Sequence, residues 1–150
     1  MESLIKLFNK YKEIIMYLIM GGATTVVNWV TYSVMITICH PGQSLSGLLK
    51  MSANTIDVFI ANIVAWTVAV IFAYITNRKY VFESSSQNIL KEAVSFFSSR
   101  LATGILDMVL MWLFVYFNVV NDVIAKVIVN VIVVVLNYVL SKLVVFKGDK

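Results

Sequence analysis

Four long apolar runs organise this chain: Ile14 to Ile38, Ile56 to Thr76, Val94 to Phe117 and Val123 to Val145. A helix of about 20 apolar residues crosses the hydrocarbon of a bilayer, and each run is that long or longer. Periodicity discriminates poorly when almost every position is apolar, so length decides in favour of helix. The Val/Ile run from Val127 to Val135 would suit a buried strand in water. In lipid an open strand leaves its backbone unpaired, so this run too is predicted helical. The expected fold is an all-α membrane protein with four transmembrane helices.

Composition supports that reading. The chain is 60% hydrophobic and only 13% charged, about half the ~25% charged share of soluble domains. That is too little polar surface to coat a soluble fold of 150 residues. Cys39 is the only cysteine, which excludes an internal disulfide, and no Cys/His spacing suits a metal. No ATP-binding motif is present, and neither cofactor nor metal is expected. A net charge of +4 would point a soluble protein toward nucleic acid. Here it follows from topology and anionic headgroups, and no nucleic-acid partner is expected.

Charge distribution predicts the orientation. Lys6, Lys10, Lys12, Arg78, Lys79, Lys91, Arg100, Lys142, Lys147 and Lys150 fall at the two ends and the middle loop. Only Lys50 and Lys126 fall on the other side. Both termini and the middle loop should therefore be cytoplasmic. The first run is too long for a signal-peptide core, with Gly21-Gly22 near its middle, and reads as the first spanning helix. Between the first two runs, His40 to Thr55 carries Leu45, Leu48, Leu49 and Met51. It reads either as a short amphipathic helix on the outer surface or as a plain connector. Glu83 to Glu92 reads as a polar loop and Asn118 to Asp122 as a tight turn.

Two segments end alike. Ile60 to Phe82 and Ile124 to Phe146 share Ile, Ala, Val, Tyr, Val and Phe at an offset of 64, and Asn77-Arg78 meets Ser141-Lys142. Tyr17, Gly21, Thr24 and Asn28 meet Phe96, Arg100, Thr103 and Asp107 at an offset of 79. The chain is expected to be one domain, 1–150, built from two helix-pair repeats at about 14–82 and 94–146. Each repeat holds two spans, so the copies enter the membrane in the same orientation, as a parallel repeat.

Polar groups inside the spans are the functional leads, because a charge near the bilayer centre costs about 2.5–3.5 kcal/mol on insertion scales. Arg100 either grips a phosphate through bidentate hydrogen bonds or snorkels to ordinary headgroups. Asp107, about two turns further on, would meet a sugar hydroxyl or a cation, or form a structural ion pair with Lys126. Lys126, Asn130, Asn137 and Ser141 share one stripe of the fourth helix. Asn62, Trp66, Ala73 and Asn77 share the matching stripe of the second, and Gly21, Thr24, Thr25, Asn28 and Tyr32 one of the first. These stripes either bond helices together or line a polar interior cleft. Tyr74 and Tyr138 recur in both copies and are further candidates to line it. With Arg100, the cations Arg78, Lys79 and Lys142 would form a pocket at the inner headgroup level. Lys79 and Arg78 also complement a helix C-terminus.

On these residues the chain resembles the GtrA-like family of small polytopic proteins. The resemblance runs from about Met16 to Phe146. It rests on Gly21-Gly22 with Asn28, the run Ala61-Asn62 to Ala73-Tyr74, the Asn77-Arg78-Lys79-Tyr80-Val81-Phe82 ending, Arg100, and the Tyr138 to Phe146 ending. Asn28 stands where an acid is common in such proteins, and Ser141-Lys142-Leu143 departs from the Asn-Arg-Lys step. The resemblance implies a non-enzymatic accessory of cell-surface polysaccharide or teichoic acid glycosylation in the cytoplasmic membrane. It implies movement of a polyprenyl-phosphate sugar, such as undecaprenyl-phosphate glucose, or service to a membrane glycosyltransferase that makes or uses it. In that reading Arg100, Arg78, Lys142 and Asn77 hold the phosphate. Asp107, Asn28, Asn62, Lys126, Asn130, Asn137, Tyr74 and Tyr138 line the sugar path. A homodimer would enlarge the cleft. A small proton-coupled exporter is a further reading, but it needs a membrane-embedded acid on the first helix, where Asn28 is neutral.

Overall fold

The structure, a computed structural model, describes residues 2–39, 55–117 and 121–147. Most of the connector after the first helix, with the amphipathic helix expected there, and most of the Asn118 to Asp122 turn lie outside the described residues. Every regular element described is helical: α1 is Glu2–Cys39, α2 Thr55–Thr76, α3 Ile89–Tyr116 and α4 Asp122–Leu140. All four contain stretches long and apolar enough to cross a membrane. The chain divides into two compact units, Met1–Val81 and Phe82–Lys150.

In the amino-terminal unit α1 packs along α2. The buried side of α2 is narrow and small: Ala61, Ala65, Ala69 and Ala73 are all at most 5% exposed. They recur every four residues, so one alanine face lets the α1 backbone approach closely. Large side chains such as Leu18, Trp29, Val30 and Phe59 remain outside, as lipid contact requires. Hydroxyls on these helices bond to their own backbones. Thr24 donates to the Met20 carbonyl and Thr31 to the Val27 carbonyl, each at 2.8 Å. Such back-bonding satisfies a hydroxyl in lipid without any partner helix.

α1 begins about three turns earlier than the apolar pattern predicts. No proline or glycine interrupts residues 2–13, so nothing in the backbone stops the helix where the apolar run starts. At 1.5 Å per residue, 38 residues reach about 57 Å, well beyond a hydrocarbon core of about 30 Å.

α2 and α4 do not end as plain α-helices. Each widens into a five-residue π-helical turn, Asn77–Val81 and Ser141–Val145. The second closes with the Phe146 N–H donating to the Ser141 carbonyl at 2.8 Å. In the first, the Asn77 carboxamide nitrogen donates to the Ala73 carbonyl at 2.7 Å, and Thr76 donates to those of Phe72 and Ala73. Side chains thus serve carbonyls at the point where the pairing changes register. π-helical turns are rare and concentrate at functional sites. The turns start 64 positions apart, and each packs on the preceding helix of its own unit, α1 or α3.

In the carboxyl-terminal unit α3 packs on α4 and on its π-turn. Ala125 and Val129 are fully buried; both sit 64 positions after buried Ala61 and Ala65. The buried face of α3 is Glu92, Phe96 and Thr103. Spacings of four and seven put these three on one stripe. The loop before α3 folds by local hydrogen bonds: the Ser86 N–H donates to the Ser84 hydroxyl and the Asn88 N–H to the Ser86 hydroxyl. Glu83, at φ 46°, makes the turn that starts it.

Candidate functional site

The carboxyl-terminal unit gathers most of the predicted site. Along α3, Glu92, Phe96, Arg100, Thr103 and Asp107 succeed one another over about 22 Å at helical rise. Each faces a specific partner.

Nearest the start of α3, the Ser84 hydroxyl donates to the carboxylate of Glu92. Glu92 is 5% exposed and sits in the first turn, where the helix dipole favours an anion. About two turns on, the Arg100 guanidinium lies over the ring of buried Phe96, 4.6 Å from its centroid. Phe96 leans on Phe146, and Phe146 stacks on Phe82, with centroids 5.9 and 4.9 Å apart. Tyr138 meets Phe82 at 6.2 Å. The Lys142 ammonium donates to the Tyr138 hydroxyl at 3.2 Å and sits 5.5 Å from that ring's centroid. Two of the predicted phosphate-binding cations therefore rest on one aromatic cluster.

Deeper along α3, the Thr103 hydroxyl donates to the Asn137 carboxamide oxygen at 2.8 Å. Beyond it, Lys126 reaches both carboxylate oxygens of Asp107, at 3.0 and 3.1 Å. Their side chains are 47% and 26% exposed, so the pair lies on the outside of its unit. An ion pair on a lipid-facing surface would be costly, so this face requires water, polar chain or another protein against it.

The α4 stripe does not share one environment. Ser141 is buried, Asn137 half-buried, and Lys126 and Asn130 exposed. Ala125 and Val129 each precede a stripe residue by one position, about 100° around the helix. The stripe therefore runs along the edge of the packed face. Its counterpart in the amino-terminal unit behaves alike: Asn62 is exposed beside buried Ala61, and its carboxamide donates to its own Val58 carbonyl at 2.8 Å. Asn28 is half-buried, Tyr74 and Asn77 are buried, and Arg78 is half-buried on the first π-turn. Asn77 and Arg78 belong to the amino-terminal unit and the other phosphate candidates to the carboxyl-terminal one.

Two buried polar atoms, Asn77 Oδ1 and Ser141 Oγ, have no hydrogen-bond partner among the described residues. They occupy the first positions of the two π-turns. Among the described residues no group of three or more His, Cys, Asp or Glu is placed to hold a metal. Sequence reasoning missed the burial of Glu92 and the contact of Arg100 with the Phe96 ring. The signal was there in the spacing of Glu92, Phe96 and Thr103, but an acid beside a polar loop reads as solvated.

The family described as "GtrA/DPMS, transmembrane domain" matches residues 16–146. The chain belongs to that family. Among GtrA/DPMS relatives, the "Cell wall teichoic acid glycosylation protein GtcA" of Listeria monocytogenes is 40% identical over 141 residues. That match covers 92% of this chain and 87% of the relative. The "Uncharacterized membrane protein YwcD" of Bacillus subtilis is 36% identical, over 90% of this chain and 97% of its own. A "Prophage bactoprenol-linked glucose translocase homolog" of Escherichia coli is 30% identical over 83 residues, 55% of this chain and 52% of its own. No solved structure matches. Membership and the four spans make the chain a multi-pass membrane protein, and its bacterial relatives place it in the cell membrane.

Proposed function

We propose that this protein translocates a polyprenyl-phosphate-linked sugar across the cytoplasmic membrane for glycosylation of a cell-surface polymer such as teichoic acid. One observation carries the reading: Arg100, Asp107 and Lys126 all lie within helices long and apolar enough to cross a membrane, in a chain only 13% charged. A polar headgroup cannot enter hydrocarbon unaided, whereas its prenyl tail stays there at no cost. Charged and hydrogen-bonding groups placed along a span offer the head a substitute for water. The names of the relatives point the same way, one through teichoic acid glycosylation and one through bactoprenol-linked glucose.

In this reading Arg100 and Lys142 receive the phosphate at the cytoplasmic side, and Asn77 and Arg78 are the matching candidates of the amino-terminal unit. The sugar then passes Asn137, Asp107 and Lys126 with Asn130 and Tyr138, and Asn28, Asn62 and Tyr74 are the polar candidates of the amino-terminal unit. The two units are copies of one helix pair, with both termini cytoplasmic. Matched buried positions 64 residues apart, Ala61 with Ala125 and Asn77 with Ser141, support the duplication. The chain performs no glycosyl transfer itself, and a homodimer is one way to complete the path.

Purified protein in sealed vesicles, given a fluorescent polyprenyl-phosphate glucose, tests this. Headgroup movement that is lost in Arg100→Ala and reduced in Arg100→Lys is the expected result. If binding of the lipid is unchanged in both variants, phosphate docking on Arg100 is wrong.

A second reading is favoured by the GtcA name, which speaks of glycosylation rather than translocation. Here the protein presents the lipid-linked sugar to a membrane glycosyltransferase. Lipid binding without headgroup movement in the same vesicles, together with co-purification of the transferase, would select it.

A further inference from the structure

We infer that the two phenylalanines that close the repeated motifs, Phe82 and Phe146, back Phe96 so that its ring positions the Arg100 guanidinium for an anionic phosphate. This rests on the phosphate reading above and assigns it a support that neither the motif nor the family match names.

The geometry is a continuous series of contacts. Phe82 follows the first π-turn and Phe146 follows the second. Their rings stack at 4.9 Å with planes 18° apart. Phe146 meets Phe96 at 5.9 Å, tilted by 53°. Phe96 is fully buried and Phe146 is 8% exposed, so neither ring has room to turn away. Arg100 lies one turn after Phe96 on α3, and its guanidinium carbon sits 4.6 Å from the Phe96 centroid.

That placement suits a planar cation. Arginine's long stem has several rotatable bonds, and a ring beneath the guanidinium holds the head in one position. The N–H donors of a guanidinium lie in its own plane. A guanidinium held in one position over the ring can offer that plane's paired donors to a phosphate. Lysine, a point charge without a plane, cannot use this support in the same way. The same cluster carries a second cation, since Tyr138 meets Phe82 at 6.2 Å and Lys142 rests on Tyr138. A common aromatic base gives a physical reason for both motifs to end in Phe.

The alternative is that the rings only fill space at the end of the helix pair. Fluorination separates the two, because each added fluorine drains the ring's negative face while nearly preserving its shape. The full chain in nanodiscs, carrying mono-, di- and trifluorophenylalanine at position 96, is titrated with a short-chain polyprenyl phosphate. Affinity is expected to fall stepwise, by about tenfold across the series, with the unfolding midpoint almost unmoved. In an Arg100→Met background, which removes the cation, the series is expected to be flat. Phe146→Leu, which keeps bulk but loses the ring, should weaken binding by about threefold.

A flat series in the native background, with Arg100→Ala still weakened, overturns the platform and leaves the phosphate reading standing. Equal affinity in Arg100→Ala and the unmodified protein removes both. A falling series that persists in Arg100→Met also overturns the platform, because the ring would then act through something other than the cation at position 100.

Discussion

The Thr103 hydroxyl donates to the Asn137 carboxamide oxygen across α3 and α4, at 2.8 Å. The carbonyls of Ser99 and Arg100 on its own helix lie 3.0 and 3.1 Å from the same hydroxyl oxygen and compete for its one proton. Interhelical hydrogen bonds in membranes average about 0.6 kcal/mol, with a maximum near 1.7. Thr103→Val keeps the shape and removes the donor. It should lower stability by about 1 kcal/mol in a detergent unfolding titration. In Asn137→Ala the same change should cost almost nothing, which a double-mutant cycle reads directly.

Asp107 and Lys126 should show the reverse of additivity. Lys126→Met leaves a carboxylate inside a span, and Asp107→Asn leaves an ammonium there. Each single change should reduce stability by about 1–3 kcal/mol, below the full insertion cost because both groups are partly exposed. The double variant should recover at least half of that loss. Folded yield and thermal midpoint of the three variants check it, and a double variant worse than either single would contradict the pair.

The link from Ser84 to Glu92 fixes the loop before α3. Hydrogen bonds to charged groups contribute about 1.5–3 kcal/mol. Ser84→Ala should loosen residues 83–88 and speed their proteolysis and amide exchange. Glu92→Leu should restore packing but not the loop, and Glu92→Gln should come closest to the native behaviour.

Ser141 is fully buried and its hydroxyl has no hydrogen-bond partner among the described residues. Removing an unmet polar group is neutral or favourable, so Ser141→Ala should hold or raise stability by up to about 1 kcal/mol. Asn77 differs, because its carboxamide serves the Ala73 carbonyl. Asn77→Ala should therefore destabilise, with faster amide exchange across residues 77–81. Equal effects of the two substitutions would contradict the distinction.

Much of this was legible in the pattern of residues. Run length alone marked all four spans, because lipid removes every other way of pairing the backbone. The pairing of Asp107 with Lys126 was one of the open readings, since an intramembrane charge needs a partner. The start of α1 was not legible, because the polar stretch Lys10 to Glu13 resembles an interface while its backbone continues as helix. Nor were the π-turns. Nothing in Asn-Arg-Lys or Ser-Lys-Leu specifies a wider turn, which arises from packing on the preceding helix and from side chains that take up backbone carbonyls. Burial of Glu92 escaped for a related reason: a serine-rich stretch looks solvated until its hydroxyls are seen folding inward.

The widened turns at the ends of α2 and α4 have a consequence for tolerance to insertion and deletion. Pairing over five residues instead of four houses one surplus residue per coil. Cutting one residue from Asn77–Val81 or Ser141–Val145 would let the coil rewind to ordinary pitch. Phe82 or Phe146 would then keep close to its present bearing, whereas the same cut in the α-helix before the turn would swivel it by about 100°. At these two places the chain tolerates a one-residue change of length that its straight helices do not.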